Sequence, residues 1–327
     1  MNALIFVFIP TSVMSTIKRI KLLHKFYNLL NYKKLQYLSI LYKKLGLRKK
    51  FYDSISSNDF PEDSLEDHPW LDIEDSEQVF PVNPTYRGLS TEYQKALLKW
   101  TNEGYALINN FYTDENVETI NQLLQKLLNE KKLPIKDNRK IMHSVRISKE
   151  MRNLVNTPEL TRILKLLMGR EVDLFQSVNF LKGSEDPTHS DFIHMSTYPY
   201  GYLIAVWIAL EEITLENGPL YYYPKSHKLP YTMNKDFQHG GNSWFTGKNY
   251  KKRYAEKINN IIAEKNFEKR VFTAAKGDVL IWHANLLHGG SPILDNSITR
   301  KSMVMHYFGK DVIRYHEISE RPSLLEE

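Results

Sequence analysis

Cysteine is absent from the 327 residues. Disulfides, thiolate catalysis and Cys-ligated zinc or iron-sulfur sites are therefore excluded, and any metal must be held by His, Asp or Glu. A long apolar run is missing too. Residues Ala3 to Ile9 are apolar, but Pro10 interrupts them, and the run is far shorter than the ~20 residues that span a bilayer. It lacks the charged segment that precedes the apolar stretch of a secretory signal, so the expected location is cytoplasmic. Met14 offers a more ordinary start than Met1, and Met1 to Val13 is read as an over-extended beginning. Acidic residues are missing from one place only. Met1 to Tyr52 holds 11 Lys plus Arg and no Asp or Glu, which in a chain of net charge +6 leaves −5 for the remainder. The basicity belongs to one segment, which argues against a nucleic-acid-binding body.

What is present falls into four stretches. Residues 1–52 form a basic N-terminal extension, in which Thr16 to Leu47 reads as one long helix with Ile17, Ile20, Leu23, Tyr27, Leu30, Leu38, Leu41 and Leu45 as its apolar stripe. Two readings stay open for it: an interfacial helix drawn to anionic lipid, giving peripheral membrane contact, or a helix packed on the domain or a partner chain. Residues 53–88 read as an acidic linker, with ten acidic residues and no Lys or Arg between Asp53 and Glu77, able to fold back on the basic helix. Residues 89–315 make the globular body and 316–327 a C-terminal tail. In the body, Ser90, Thr113 and Thr157 cap helices, the last with Pro158 behind it and Gly169 as its stop. Six strands are expected after Gly169: Glu171 to Lys182, Tyr202 to Leu210, Leu220 to Pro224, Arg270 to Thr273, Val279 to His283 and Lys301 to Phe308. Helices followed by many short strands predict an α+β chain whose sheet portion is a sandwich or jelly roll. The insertion from His227 to Lys269 is long enough to be a lid or a mobile surface, with a helix in its middle.

One constellation suggests chemistry. His189 and Asp191 stand two positions apart in Pro187-Thr188-His189-Ser190-Asp191, so on extended backbone both side chains point the same way. A third ligand is available downstream, where His283 and His288 compete, the latter beside Gly289 and Gly290. Such a donor set suits Fe(II), Mn(II), Zn(II) or Cu(II), and two His with one carboxylate and open positions point to non-haem iron. Arg300 opens an apolar strand, where a guanidinium aimed inward needs an anion to meet it. His194 and His306 could line a pocket, though ordinary hydrogen-bonded histidines fit both as well.

The order and spacing of these motifs from about Asn102 to Phe308 resemble the phytanoyl-CoA dioxygenase family of Fe(II)- and 2-oxoglutarate-dependent oxygenases. The motifs are Asn102-Glu103-Gly104-Tyr105, His189-Ser190-Asp191, Ala205-Val206-Trp207-Ile208-Ala209-Leu210, Asn217-Gly218-Pro219-Leu220, Pro224-Lys225-Ser226-His227, Gly277-Asp278, and His288-Gly289 followed by Arg300. The resemblance implies a double-stranded β-helix core with flanking helices. It implies His189, Asp191 and His288 as iron ligands and Arg300 as the clamp on the distal carboxylate of 2-oxoglutarate. Gln176, Trp207 and Ser291 are the further cosubstrate contacts, Ser291 standing one residue after the position where the family serine usually comes, here Gly290. The implied activity is hydroxylation of an unidentified small-molecule or lipid-like substrate with O2, releasing succinate and CO2. The alternative is a non-catalytic metal-binding β-helix that acts as a binding module.

Overall fold

The computed structural model describes residues 17 and 19–325 apart from 63 and 138, so the expectation about Met1 to Val13 lies outside the described residues. Thirteen strands are present among them: β1 (Tyr105–Ile108), β2 (Ile135–Lys136), β3 (Lys140–Met142), β4 (Val172–Phe180), β5 (Ser196–Tyr198), β6 (Leu203–Ala209), β7 (Leu220–Tyr222), β8 (Arg270–Phe272), β9 (Val279–His283), β10 (His288–Gly290), β11 (Ser302–Gly309), β12 (Ile313–His316) and β13 (Arg321–Pro322). Seven form one sheet in the order β1-β9-β6-β11-β4-β3-β2, three form a smaller sheet β10-β7-β8, and β13-β12-β5 form a third. All pairings are antiparallel.

The alternation of side chains along the central strands sorts the core into two layers. Ile204, Val206 and Ile208 of β6, with Val279 and Ile281 of β9 and Met303 and Met305 of β11, pack against helices that contribute Ile120, Leu124, Ile163 and Leu167. The opposite face presents Ala205, Trp207, Leu280, Trp282 and Val304 to Leu220, Tyr222 and Phe272 of the smaller sheet. Both faces of β6 are buried along its whole length, which is why its sequence is continuously apolar instead of alternating. The layer between the two sheets is where the candidate site opens.

The expected helix caps form. Thr113 accepts a hydrogen bond from the Asn116 N–H, Thr157 from that of Leu160, and Gly169 ends its helix at φ 64° in the left-handed region glycine favours. The N-terminal segment departs from expectation: it is three pieces, α1 (Lys21–Leu30), α2 (Tyr32–Leu35) and α3 (Tyr37–Lys44). Asn31 leaves the helical region and its side-chain amide donates to the Tyr27 carbonyl, the local competition that makes Asn a helix breaker. The break splits the stripe, since Leu38 is fully buried whereas Leu23, Tyr27 and Leu30 are exposed.

The 53–88 stretch is no free linker, which corrects that expectation. It carries α4 (Trp70–Ile73), and Leu71, Phe80 and Tyr86 join the main core. Glu62, Glu66, Asp67, Glu74 and Glu77 are exposed around these anchors while Asp72 turns inward onto His283, so composition alone reads as solvated chain. It does fold back on the basic segment, through Lys25–Asp53 and Lys49–Asp59, both at 2.7 Å. The C-terminal stretch is also built in: Glu317 is buried and accepts from the Ser57 hydroxyl and N–H and from the Asn234 N–H. Among the described residues no helix is long and apolar enough to cross a membrane.

Candidate metal centre

His288 opens β10, and His189 lies beside it outside any named strand. The two exchange backbone hydrogen bonds, each N–H donating to the other's carbonyl at 2.9 Å. The neighbouring Gly289 leaves room for Tyr221 and Asp186 to pack against the strand, because a Cβ there would fall 2.5 Å from the Tyr221 hydroxyl and 2.9 Å from the Asp186 carbonyl. Asp191 follows at the start of a single 3-10 turn, Asp191–Ile193. Its Oδ1 lies 3.8 Å from His189 Nε2 and 3.7 Å from His288 Nε2. Each imidazole turns its Nδ1 to a carbonyl two residues earlier, Pro187 at 2.9 Å and Leu286 at 3.0 Å. That fixes the Nδ1–H tautomer and leaves both Nε2 lone pairs facing Oδ1.

The second oxygen of Asp191 is held from behind. Trp282 Nε1–H donates to Oδ2 at 2.8 Å, and His306 Nε2 lies 3.4 Å from the same atom. Burial alone would raise the Asp191 carboxyl, but His288, His306 and His189 outweigh it and hold the group well below the usual carboxylate range. Burial pushes His288 down to about 4 despite the opposing pull of Asp191, so it is neutral at physiological pH with its lone pair free. One carboxylate and two imidazoles, their three ligand atoms within 4.8 Å of one another, make a donor set that fits Fe(II).

These residues line a cavity of about 470 Å³ that extends to Arg300 and Trp207. Arg300 is 2% exposed, donates from Nη1 to Ser302 Oγ at 2.7 Å, and has no carboxylate in ion-pair contact among the described residues; its Nε lacks a partner. Burial lowers its pKa to about 10, with Asp186 and Glu211 pulling the other way at longer range. Trp207 is fully buried and its Nε1–H is also unpartnered. Two buried donors without acceptors in one cavity fit an anionic carboxylate ligand such as 2-oxoglutarate.

Of the other expected residues, Gln176 and Ser291 do not line this cavity. Gln176 Nε2 reaches His306 Nδ1 at 3.4 Å and so stands behind the carboxylate, while the Ser291 hydroxyl is buried without a partner. His283 points the opposite way from Trp282 and meets Asp72 at 3.3 Å, which leaves His288 as the third member. His194 stays outside the cavity, near His316 and Tyr250. His306 of β11 lines it, as does Arg300 just before that strand. Sequence reasoning missed Trp282, although it alternates inward on β9 with Leu280 on the same face. It also missed the Tyr254 hydroxyl, which accepts the Ser190 N–H at 3.1 Å. Lys136 and Lys140, which line the cavity together with Lys251 of the Lys-rich insertion, were missed as well.

A sheet pair enclosing a two-His, one-carboxylate set with a buried arginine beside it is a candidate for a mononuclear metal centre of the non-haem iron type. The profile of the family described as phytanoyl-CoA dioxygenase (PhyH) matches residues 100–302, and the chain belongs to that family. Phytanoyl-CoA dioxygenase domain-containing protein 1 of Mus musculus is 30% identical over 99 residues, 29% of this chain and 34% of that protein. Its Danio rerio counterpart is 26% identical over 144 residues, 42% of this chain and 45% of the relative, so the chain spans less than half the length of these curated relatives. The fold is similar to that of the non-heme alpha ketoglutarate dependent carbocyclase SnoK from nogalamycin biosynthesis, with a TM-score of 0.58 at 17% identity over 74% of this chain and 95% of that one. It also resembles EctD from S. alaskensis with 2-oxoglutarate and 5-hydroxyectoine, with a TM-score of 0.54 at 19% identity over 73% and 84% of the two chains.

Proposed function

We propose that the chain is an Fe(II)- and 2-oxoglutarate-dependent dioxygenase that hydroxylates a small molecule inside a double-stranded β-helix. The observation that carries this reading is the pairing of the His189–Asp191–His288 set with Arg300, a buried cation with no ion-pair partner among the described residues. His189, Asp191 and His288 would hold the iron through Nε2, Oδ1 and Nε2, leaving its remaining positions for the cosubstrate and O2. Arg300 would take the distal carboxylate of 2-oxoglutarate with two parallel hydrogen bonds, and the Trp207 ring and N–H would wall that end of the cavity. Iron, 2-oxoglutarate and O2 supply the oxidising power, with succinate and CO2 as co-products. Trp282 and His306 keep the Asp191 carboxylate in one orientation, so that Oδ1 alone faces the metal position.

The mouth suggests the substrate's charge. Lys140 is engaged with Asp186 at 2.8 Å, whereas Lys136 and Lys251 form no ion pair among the described residues. A substrate with an anionic group distal to the reacting carbon would meet both. Calorimetric titration of the chain with 2-oxoglutarate under nitrogen tests the reading. Binding is expected only after Fe(II) is added, and to weaken at least about a hundredfold in Arg300→Met while iron affinity is kept. Metal-independent binding, or binding indifferent to Arg300→Met, would overturn it.

A further inference from the structure

Helix α1 is turned inside out. Its buried positions are the polar His24 and Asn28, the latter donating to the Tyr52 carbonyl at 3.0 Å. Its outward positions are Leu22, Phe26, Leu29 and Leu30, with Leu22 62%, Phe26 61% and Leu30 71% exposed. These recur at i, i+4, i+7 and i+8, so they form one stripe on one face of the helix. A surface helix of a soluble body does the reverse, and an exposed apolar stripe of this length marks a surface that something covers. Ile40 on α3 adds a further apolar side chain at 74% exposed. Trp244, 67% exposed, belongs to the insertion whose backbone pairs with the start of α1, the Lys21 N–H donating to the Trp244 carbonyl at 2.9 Å.

The charge around this stripe selects the occupant. Residues 1–52 contain no Asp or Glu. Lys21 and Lys25 are neutralised by Glu320 and Asp53, but Lys33, Lys34, Lys43 and Lys44 are exposed and form no ion pair among the described residues. A second copy of the chain would bring the same excess of positive charge to its partner and be repelled. An apolar stripe beside uncompensated lysines is complementary to a bilayer surface whose headgroups are anionic. We infer that α1 to α3 dock the protein peripherally on an anionic lipid surface, with Leu22, Phe26, Leu29 and Leu30 entering the headgroup boundary and the lysines meeting the headgroups.

The test is co-sedimentation of the full chain with vesicles of phosphatidylcholine alone and of phosphatidylcholine mixed with phosphatidylglycerol. Binding to the mixed vesicles should exceed that to the neutral ones by about tenfold or more and fall with added salt. The pair Phe26→Ser with Leu30→Ser should cut it about tenfold with little change in the thermal midpoint, since both side chains are already largely in water. Reversal of Lys33, Lys34, Lys43 and Lys44 to Glu should abolish the preference for anionic lipid. Because the chain has no cysteine, Phe26→Cys also provides a single reactive thiol. It should react readily in the free protein and be shielded by anionic vesicles only. A thiol already shielded in the free protein would mean that another part of the chain covers the stripe. Self-association lost with the Phe26→Ser and Leu30→Ser pair would mean that a second copy does. Either result, or equal binding to both kinds of vesicle, overturns the inference.

Discussion

The two oxygens of Asp191 face different neighbours: Oδ2 accepts from Trp282 and abuts His306, whereas Oδ1 faces the two imidazoles. A partner that fixes a ligand's orientation typically contributes about 10- to 100-fold in metal affinity. Trp282→Phe keeps most of the ring and removes the donor, so the Fe(II) dissociation constant should rise by about tenfold or more, with the thermal midpoint falling only modestly. An unchanged dissociation constant by metal titration would show that the hydrogen bond is incidental. Arg300 invites a prediction of opposite sign. A buried guanidinium without an anion costs stability, so Arg300→Met should stabilise the cosubstrate-free chain by about 1 kcal/mol or more in calorimetry or urea unfolding. A fall in stability would mean that the charge is already compensated. His189 and Asp191 stand out along the chain by their spacing and Arg300 by its place beside an apolar strand, whereas His288 is set apart from His283 only by the family resemblance. Trp282 was not legible, because it lies 91 residues from Asp191 and only the sheet register brings the two together.

Elements hold these residues in place by contacts that composition hides. The strap around α4 is pinned to the sheet by Asp72, which lies 3.3 Å from His283 and 3.6 Å from His68. Burial alone would raise the Asp72 carboxyl, but His283 and His68 hold it well below the usual range. A carboxyl lowered in the fold contributes stability that is fully present above its unfolded value of about 4 and is lost as the pH falls below that. Asp72→Asn should therefore cost about 2 kcal/mol at pH 7, a difference that shrinks in urea unfolding as the pH drops toward 3. A pH-independent difference would contradict the ion-pair account. The helix of the insertion, α5 (Tyr250–Lys265), reaches the site through Tyr254 and Ser190. Tyr254→Phe should loosen the loop that carries His189 and Asp191, costing about 1 kcal/mol and weakening Fe(II) binding several-fold in the same metal titration. The main strands were legible from their apolar runs. The three residues of β10 were not, because His-Gly-Gly reads as a turn until the facing strand β7 is known. The unbroken N-terminal helix failed at Asn31, where one side-chain hydrogen bond outweighed a plausible periodicity.

On the scale of the whole molecule, charge and chemistry are segregated. The basic segment forms α1 to α3, tied by ion pairs to an acidic strap that is itself part of the core, while the candidate site lies between the two sheets. We propose that this site holds iron and 2-oxoglutarate together and turns the latter over. The most direct measurement is succinate formed per chain when the protein, loaded with Fe(II) and 2-oxoglutarate under nitrogen, is exposed to air. The account predicts slow succinate release even without the true substrate, abolished by Asp191→Ala and by Arg300→Met. Iron held by His189, Asp191 and His288 with no succinate formed, at saturating 2-oxoglutarate and across a panel of anionic small molecules, would contradict it and leave a metal-binding module in its place.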